Sequence, residues 1–103
     1  MASIIKKDIY VCVGDKRHIY LLPKKIDDVF ASEMKALGTL KRLDIDKDTV
    51  WFLDGEDRKL KCRFESGKKE LDARFSRNEY KEKVNSLEDF LKTFFNSDIK
   101  EEN

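Results

Sequence analysis

Between Thr49 and Phe64 the chain passes from an unbroken apolar run to strict alternation, and few folds accept both side by side. Val50, Trp51, Phe52 and Leu53 are consecutive and include the only tryptophan. Asp54-Gly55-Glu56-Asp57 has turn chemistry, with Gly55 able to adopt positive φ. Leu60, Cys62 and Phe64 then alternate with Lys59, Lys61 and Arg63, the two-residue period of a half-buried strand. The stretch predicts a hairpin with one apolar face and one strongly cationic face.

The rest of the chain divides around this hairpin. Ile4 to Val13 reads as a first strand, apolar on both sides towards its end and so expected inside the sheet rather than at its edge. Gly14-Asp15-Lys16 turns the chain into a second strand, Arg17–Leu22, which Pro23 ends. Ile26, Val29, Phe30, Met34 and Leu37 recur at helical spacing, predicting a helix over 27–37 with Asp27 or Asp28 at its N-terminus and Gly38 as its C′ glycine. Thr39–Ile45 alternates imperfectly, which suggests a bulged strand, and Asp46-Lys47-Asp48 turns it into the hairpin. Leu71, Ala73 and Phe75 alternate as a last strand, with an early helical turn over 68–75 as the other option. Ser76-Arg77-Asn78-Glu79 matches a capping box, and Tyr80, Val84, Leu87, Leu91 and Phe94 or Phe95 mark an apolar helical stripe. Asn85-Ser86 is a candidate second cap that would split this helix.

The order is ββα, then four strands, then a helix. It predicts an α+β domain: a small, mostly antiparallel sheet or barrel capped by a C-terminal amphipathic helix. One globular domain is expected over residues 1–96, with residues 97–103 a polar, frayed tail.

Charged residues make up 42% of the chain but nearly cancel, 22 basic against 21 acidic. No global field therefore holds the chain on nucleic acid or an anionic membrane. No run of 18 apolar residues reads as a membrane span, and Met1–Lys7 lacks the apolar stretch of a signal peptide. The expectation is an intracellular protein of unspecified compartment. Cys12 and Cys62 sit on apolar strands as free thiols, since pairing them needs adjacent strands of suitable geometry.

Catalytic and cofactor signatures are weak. Asp44-x-Asp46-x-Asp48 begins like a calcium loop, but the sixth and twelfth positions hold Thr49 and Gly55 where glycine and glutamate belong. His18, the only histidine, has no nucleophile beside it in sequence. Asp27-Asp28 and Glu88-Asp89 fall where helix starts favour acid. Glycines stand singly at 14, 38, 55 and 67, so no phosphate loop forms. Neither an enzyme nor a metal or other cofactor is expected, and no small-molecule substrate.

Two features remain for a partner. Phe90, Leu91, Phe94 and Phe95 cover more than half of a helix circumference, so Phe90, Phe94 and Phe95 are the candidate protein-binding residues. Lys41, Arg42, Arg58, Lys59, Lys61 and Arg63 could form a basic strand face for RNA or DNA, with Trp51 or Phe52 as its stacking ring. The competing explanation of those cations is cross-strand pairing with Glu65, Glu70 and Asp72. Gly38-Thr-Leu-Lys-Arg-Leu-Asp44 with Asp48 and Val50–Leu53 resembles the first signature of Sm-type RNA-binding barrels, although asparagine is replaced by Asp48 and the second signature is missing. Val50–Phe64 also resembles the strand–turn–strand of a Tudor-type barrel, without an aromatic cage.

The reading is a non-enzymatic protein-interaction module, an adaptor or a self-associating domain, possessing a sheet edge open to strand addition or a helix groove. The alternative is a small RNA- or DNA-binding barrel using the six basic residues. A third class, an inhibitor or regulator of another protein, has the same sequence features as the first.

Overall fold

A computed structural model describes residues 3–9, 15–55 and 59–102. Among these residues seven strands form one sheet. They are β1 (Ile4–Ile9), β2 (Lys16–Leu21), β3 (Thr39–Ile45), β4 (Asp48–Asp54), β5 (Leu60–Glu65), β6 (Glu70–Phe75) and β7 (Ile99–Glu101). The spatial order is β3-β4-β5-β6-β2-β1-β7, antiparallel throughout except for β1 and β7. The domain is α+β, as its patterning predicts. The sheet is open rather than closed into a barrel, with β3 and β7 at its edges.

Both helices lie on one face. Helix α1 (Asp28–Met34) runs on into a 3-10 turn, Lys35–Leu37, and α2 spans Tyr80–Phe95. Period-two alternation sends Tyr20, Trp51, Leu53, Leu60, Cys62, Phe64, Leu71, Ala73 and Phe75 towards the helices, and all are buried. Phe30, Ala31 and Met34 of α1 and Val84, Leu87 and Leu91 of α2 close over them. Trp51 belongs to this core, its indole N–H donating to Ser66 Oγ at 3.1 Å.

The start of α1 follows the sequence expectation, and the other helix ends depart from theirs. Asp27 caps α1, its Oδ1 accepting from the Phe30 N–H at 2.9 Å. Gly38 is not a left-handed C′ residue, because its φ of 162° is ordinary extended backbone. Glycine is required there for space: an added Cβ would lie 2.7 Å from the Gly55 Cα. Gly55 likewise lies outside the left-handed region, and among the described glycines only Gly67, with a φ of 82°, occupies it. The capping box does not form. Glu79 takes the N-cap position of α2 in the left-handed region and makes no side-chain cap, and Ser76 Oγ accepts only from the Asn78 N–H at 3.4 Å. No second cap interrupts α2, which is continuous.

Two further expectations are corrected and one is met. Strand β3 pairs with β4 without a bulge, from Thr39 opposite Asp54 to Ile45 opposite Asp48. Residues 70–75 are the strand that the alternation of Leu71, Ala73 and Phe75 predicts, and the helical option falls away. The segment after α2 is not frayed: Asn96, left-handed at φ 48°, ends the helix and turns the chain so that Ile99–Glu101 pairs with Ile4–Lys6. Tyr10, Val11, Cys12, Val13 and Gly14 of the expected first hairpin, and Glu56, Asp57 and Arg58 of the central turn, lie outside the described residues.

Candidate interaction surface

The face opposite the helices is bare among the described residues. Register runs one row across it from Lys41 to Phe52, Arg63, Asp72, Ile19 and Lys7. Alternation along β4 decides the aromatic of that row. Trp51 points into the core, so Phe52 points out and is 37% exposed.

The structure divides the six basic residues. Lys41, Lys61 and Arg63 share the bare face. Arg42 projects from the other side of β3, its guanidinium 5.3 Å from the centre of the Trp51 ring. Lys59 precedes β5 and pairs with Glu79 at 3.1 Å. Arg58 lies outside the described residues. Carboxylates interrupt the remaining cations. Arg63 contacts Glu65 at 3.1 Å and stands opposite Asp72, which Arg17 holds through two hydrogen bonds, of 2.9 and 2.5 Å. A shallow groove of about 460 Å³ crosses this part of the sheet beside Arg17, Arg63, Lys68 and Asp72.

The candidate aromatics of α2 turn towards α1. Phe90, Phe94 and Phe95 are half-buried, with ring centres 5.8, 5.2 and 5.6 Å from that of Phe30. They join the two helices into one layer and keep part of each ring outside it.

Among the described residues, β3 is the last strand on its side of the sheet. All its residues except Leu40 are exposed, and Leu43 and Ile45 stand at 49% and 51% on the bare face. Sequence reasoning missed these two, because the β3 alternation gives no sign of which strand is terminal. The hydrogen-bond phase identifies the free backbone groups. Ser66 N–H donates to the Thr49 carbonyl and Gly55 N–H to the Leu60 carbonyl, so the odd-numbered residues of β4 bond to β5. Asp48, Val50, Phe52 and Asp54 therefore face β3, and their partners Ile45, Leu43, Lys41 and Thr39 face back. The N–H and C=O groups of Leu40, Arg42 and Asp44 point away from the sheet.

The titratable groups elsewhere are held by one another. His18 is buried, and its Nε2 lies 2.6 Å from the Tyr80 hydroxyl. Its Nδ1 lies 2.6 Å from Asp8 Oδ1. Burial foremost, and then the Lys6 charge, lower the His18 pKa, and these outweigh the exposed Asp8 carboxylate. Cys62 is a free, fully buried thiol whose pKa burial raises, so it is a poor nucleophile. Asp44, Asp46 and Asp48 sit on the β3–β4 hairpin, where Asp44 accepts from Thr49 and Arg42. Among the described residues no group of three or more His, Cys, Asp or Glu is placed to hold a metal, and no helix is long and apolar enough to cross a membrane.

No protein-family model matches the chain, and no curated protein or solved structure does either.

Proposed function

We propose that the protein is a non-enzymatic interaction module that binds an extended protein segment along β3. One observation carries this reading: the outward N–H and C=O groups of Leu40, Arg42 and Asp44 lie beside exposed Leu43 and Ile45. An added strand would satisfy those backbone groups and cover the two side chains together, which is the energetic basis of β-augmentation. A bare edge of this length otherwise invites non-specific pairing, which its exposed charges Lys41, Arg42 and Asp44 oppose.

Arg42→Pro tests it. The substitution removes an N–H that points to solvent and leaves the β3–β4 ladder intact, a position where proline is tolerated. The expected result is a folded protein, by circular dichroism, that no longer retains partners which the unaltered chain captures from a cell extract. Equal capture by both proteins would falsify the edge as the binding element.

Phe52 favours a second reading, in which the bare face binds single-stranded nucleic acid. Its exposed ring lies between Lys41 and Arg63 in the register, an arrangement suited to base stacking with phosphate contacts. Such binding falls linearly in log affinity against log salt. Failure to bind homopolymer RNA or single-stranded DNA at low salt removes this reading.

A further inference from the structure

We propose that the segment docked on β3 is the β3 strand of a second copy of this chain, antiparallel, with the two-fold axis at Leu43. The inference rests on the edge reading above and names its partner.

Only residues with outward backbone groups can exchange hydrogen bonds across the new junction, so Leu40, Arg42 and Asp44 must pair among themselves. A two-fold axis at Arg42 sets its guanidinium against the same group of the other copy. An axis at Asp44 opposes two carboxylates. An axis at Leu43 sets Arg42 opposite Asp44 of the second copy, and repeats that pairing by symmetry. Arg42 and Asp44 thus carry opposite charges one residue to either side of Leu43. Like charges directly opposed across strands are unfavourable and opposite charges favourable, so one register is selected.

The side chains already stand where this register needs them. Arg42 and Asp44 share a face, with Arg42 Nε donating to Asp44 Oδ1 at 3.1 Å and the guanidinium lying over Trp51. Two copies bring these charges into one alternating ladder. On the bare face, Leu43 meets Leu43 in a non-hydrogen-bonded pair, the closer of the two antiparallel spacings. Lys41 lies opposite Ile45 of the second copy, where its methylene stem covers apolar surface. About four backbone hydrogen bonds form, from the two Arg42–Asp44 pairs. The contact is isologous and closes after two copies, so it ends the sheet edge instead of propagating it.

Sedimentation equilibrium of the full chain over a range of concentrations tests the proposal. The expected result is a monomer–dimer equilibrium. Arg42→Asp and Asp44→Arg should each weaken it by about tenfold or more, since either change creates two like-charge oppositions. Neither variant should pair with itself, but an equimolar mixture should form heterodimers, because every opposition is then between unlike charges. Leu43→Cys should give a disulfide-linked dimer under mild oxidation, above the level of the unaltered chain, whereas Arg42→Cys, which faces Asp44, should not. All three positions are exposed, and circular dichroism is the check that each variant is folded.

A chain that stays monomeric, or a dimer indifferent to both charge reversals, overturns the self-pairing. Monomeric behaviour together with loss of capture by Arg42→Pro overturns the choice of partner alone. Unchanged capture by that variant overturns the edge reading as well.

Discussion

Lys6 Nζ lies 2.8 Å from Glu88 Oε2, and the same oxygen accepts a 2.8 Å hydrogen bond from the Tyr20 hydroxyl. This contact ties the middle of α2 to β1 and β2 through three polar side chains at the margin of an apolar core. Burial alone lowers the Lys6 pKa, but the hydrogen bond and charge of Glu88 outweigh it, and the net shift is upward from 10.5. The stabilisation from Lys6 is therefore complete below its unfolded value and is lost as pH rises through the higher folded value.

Lys6→Met leaves the Glu88 carboxylate at the core margin without its cation. The expected cost is about 3 kcal/mol in urea unfolding. Lys6→Met with Glu88→Gln removes both charges and keeps an acceptor for Tyr20, so it should recover most of that loss. A double variant no more stable than Lys6→Met would show that the ion pair is not the source of the effect.

His18 makes the opposite pH prediction at the acid end. Its pKa is lowered from 6.5, by burial first and the Lys6 charge second, so the unfolded chain binds the proton more tightly. Stability from this group is present above 6.5 and is lost as pH falls through the lower folded value. His18→Phe keeps the ring packing against Phe75 and Tyr20 and has no proton to bind. Between pH 7 and pH 5 the unaltered chain should lose more stability than the variant. Parallel pH profiles would exclude His18 as the titrating group.

The sheet was legible in the sequence where alternation was strict. Leu60–Phe64 and Leu71–Phe75 declare their buried faces because every second residue is charged. The helix α2 declared itself through its stripe, although its start did not: the capping residues are present in order, but Glu79 adopts a left-handed conformation that carries the chain into the helix directly. Strand β7 was not legible, because three residues with one isoleucine have no period and pair with a strand 95 positions away. The candidate surface was half legible. The basic residues and the choice between Trp51 and Phe52 were visible, but strand order was not. Local pattern says which face a residue takes and says nothing about which strand is last.

Backbone proximity makes Gly38 the most constrained of the described glycines. A methyl group there meets the Asp54 carbonyl and the Gly55 Cα, both main-chain groups unable to swing aside. Gly38→Ala should cost about 2 kcal/mol or more. Gly67→Ala meets no neighbour within 4 Å and suffers only from a φ of 82°, which sets its cost at about 1 kcal/mol. Thermal unfolding of the two variants checks the order, and a reversal would mean that backbone dihedral, not close approach, governs both sites.

Phe30 decides whether the aromatic end of α2 is core or partner surface. Its ring is 1% exposed and packs edge-on to Phe64 and Phe94, at 5.4 and 5.2 Å. Phe30→Ala should cost about 3–5 kcal/mol, as for other buried rings. Phe94 is only half-buried, and Phe94→Leu should cost less than about 1.5 kcal/mol because it keeps an apolar group against Phe30. Phe94→Asp is the discriminating change. If the ring serves only to join the helices, the carboxylate lowers stability by about 2 kcal/mol and leaves self-association untouched once the protein is folded. If its exposed part belongs to a partner surface, the dissociation constant rises in protein that unfolds at nearly the urea concentration of Phe94→Leu. Measuring urea midpoint and dimer dissociation on the same samples separates the two, and a loss confined to stability assigns Phe94 to the interior and leaves β3 as the binding element.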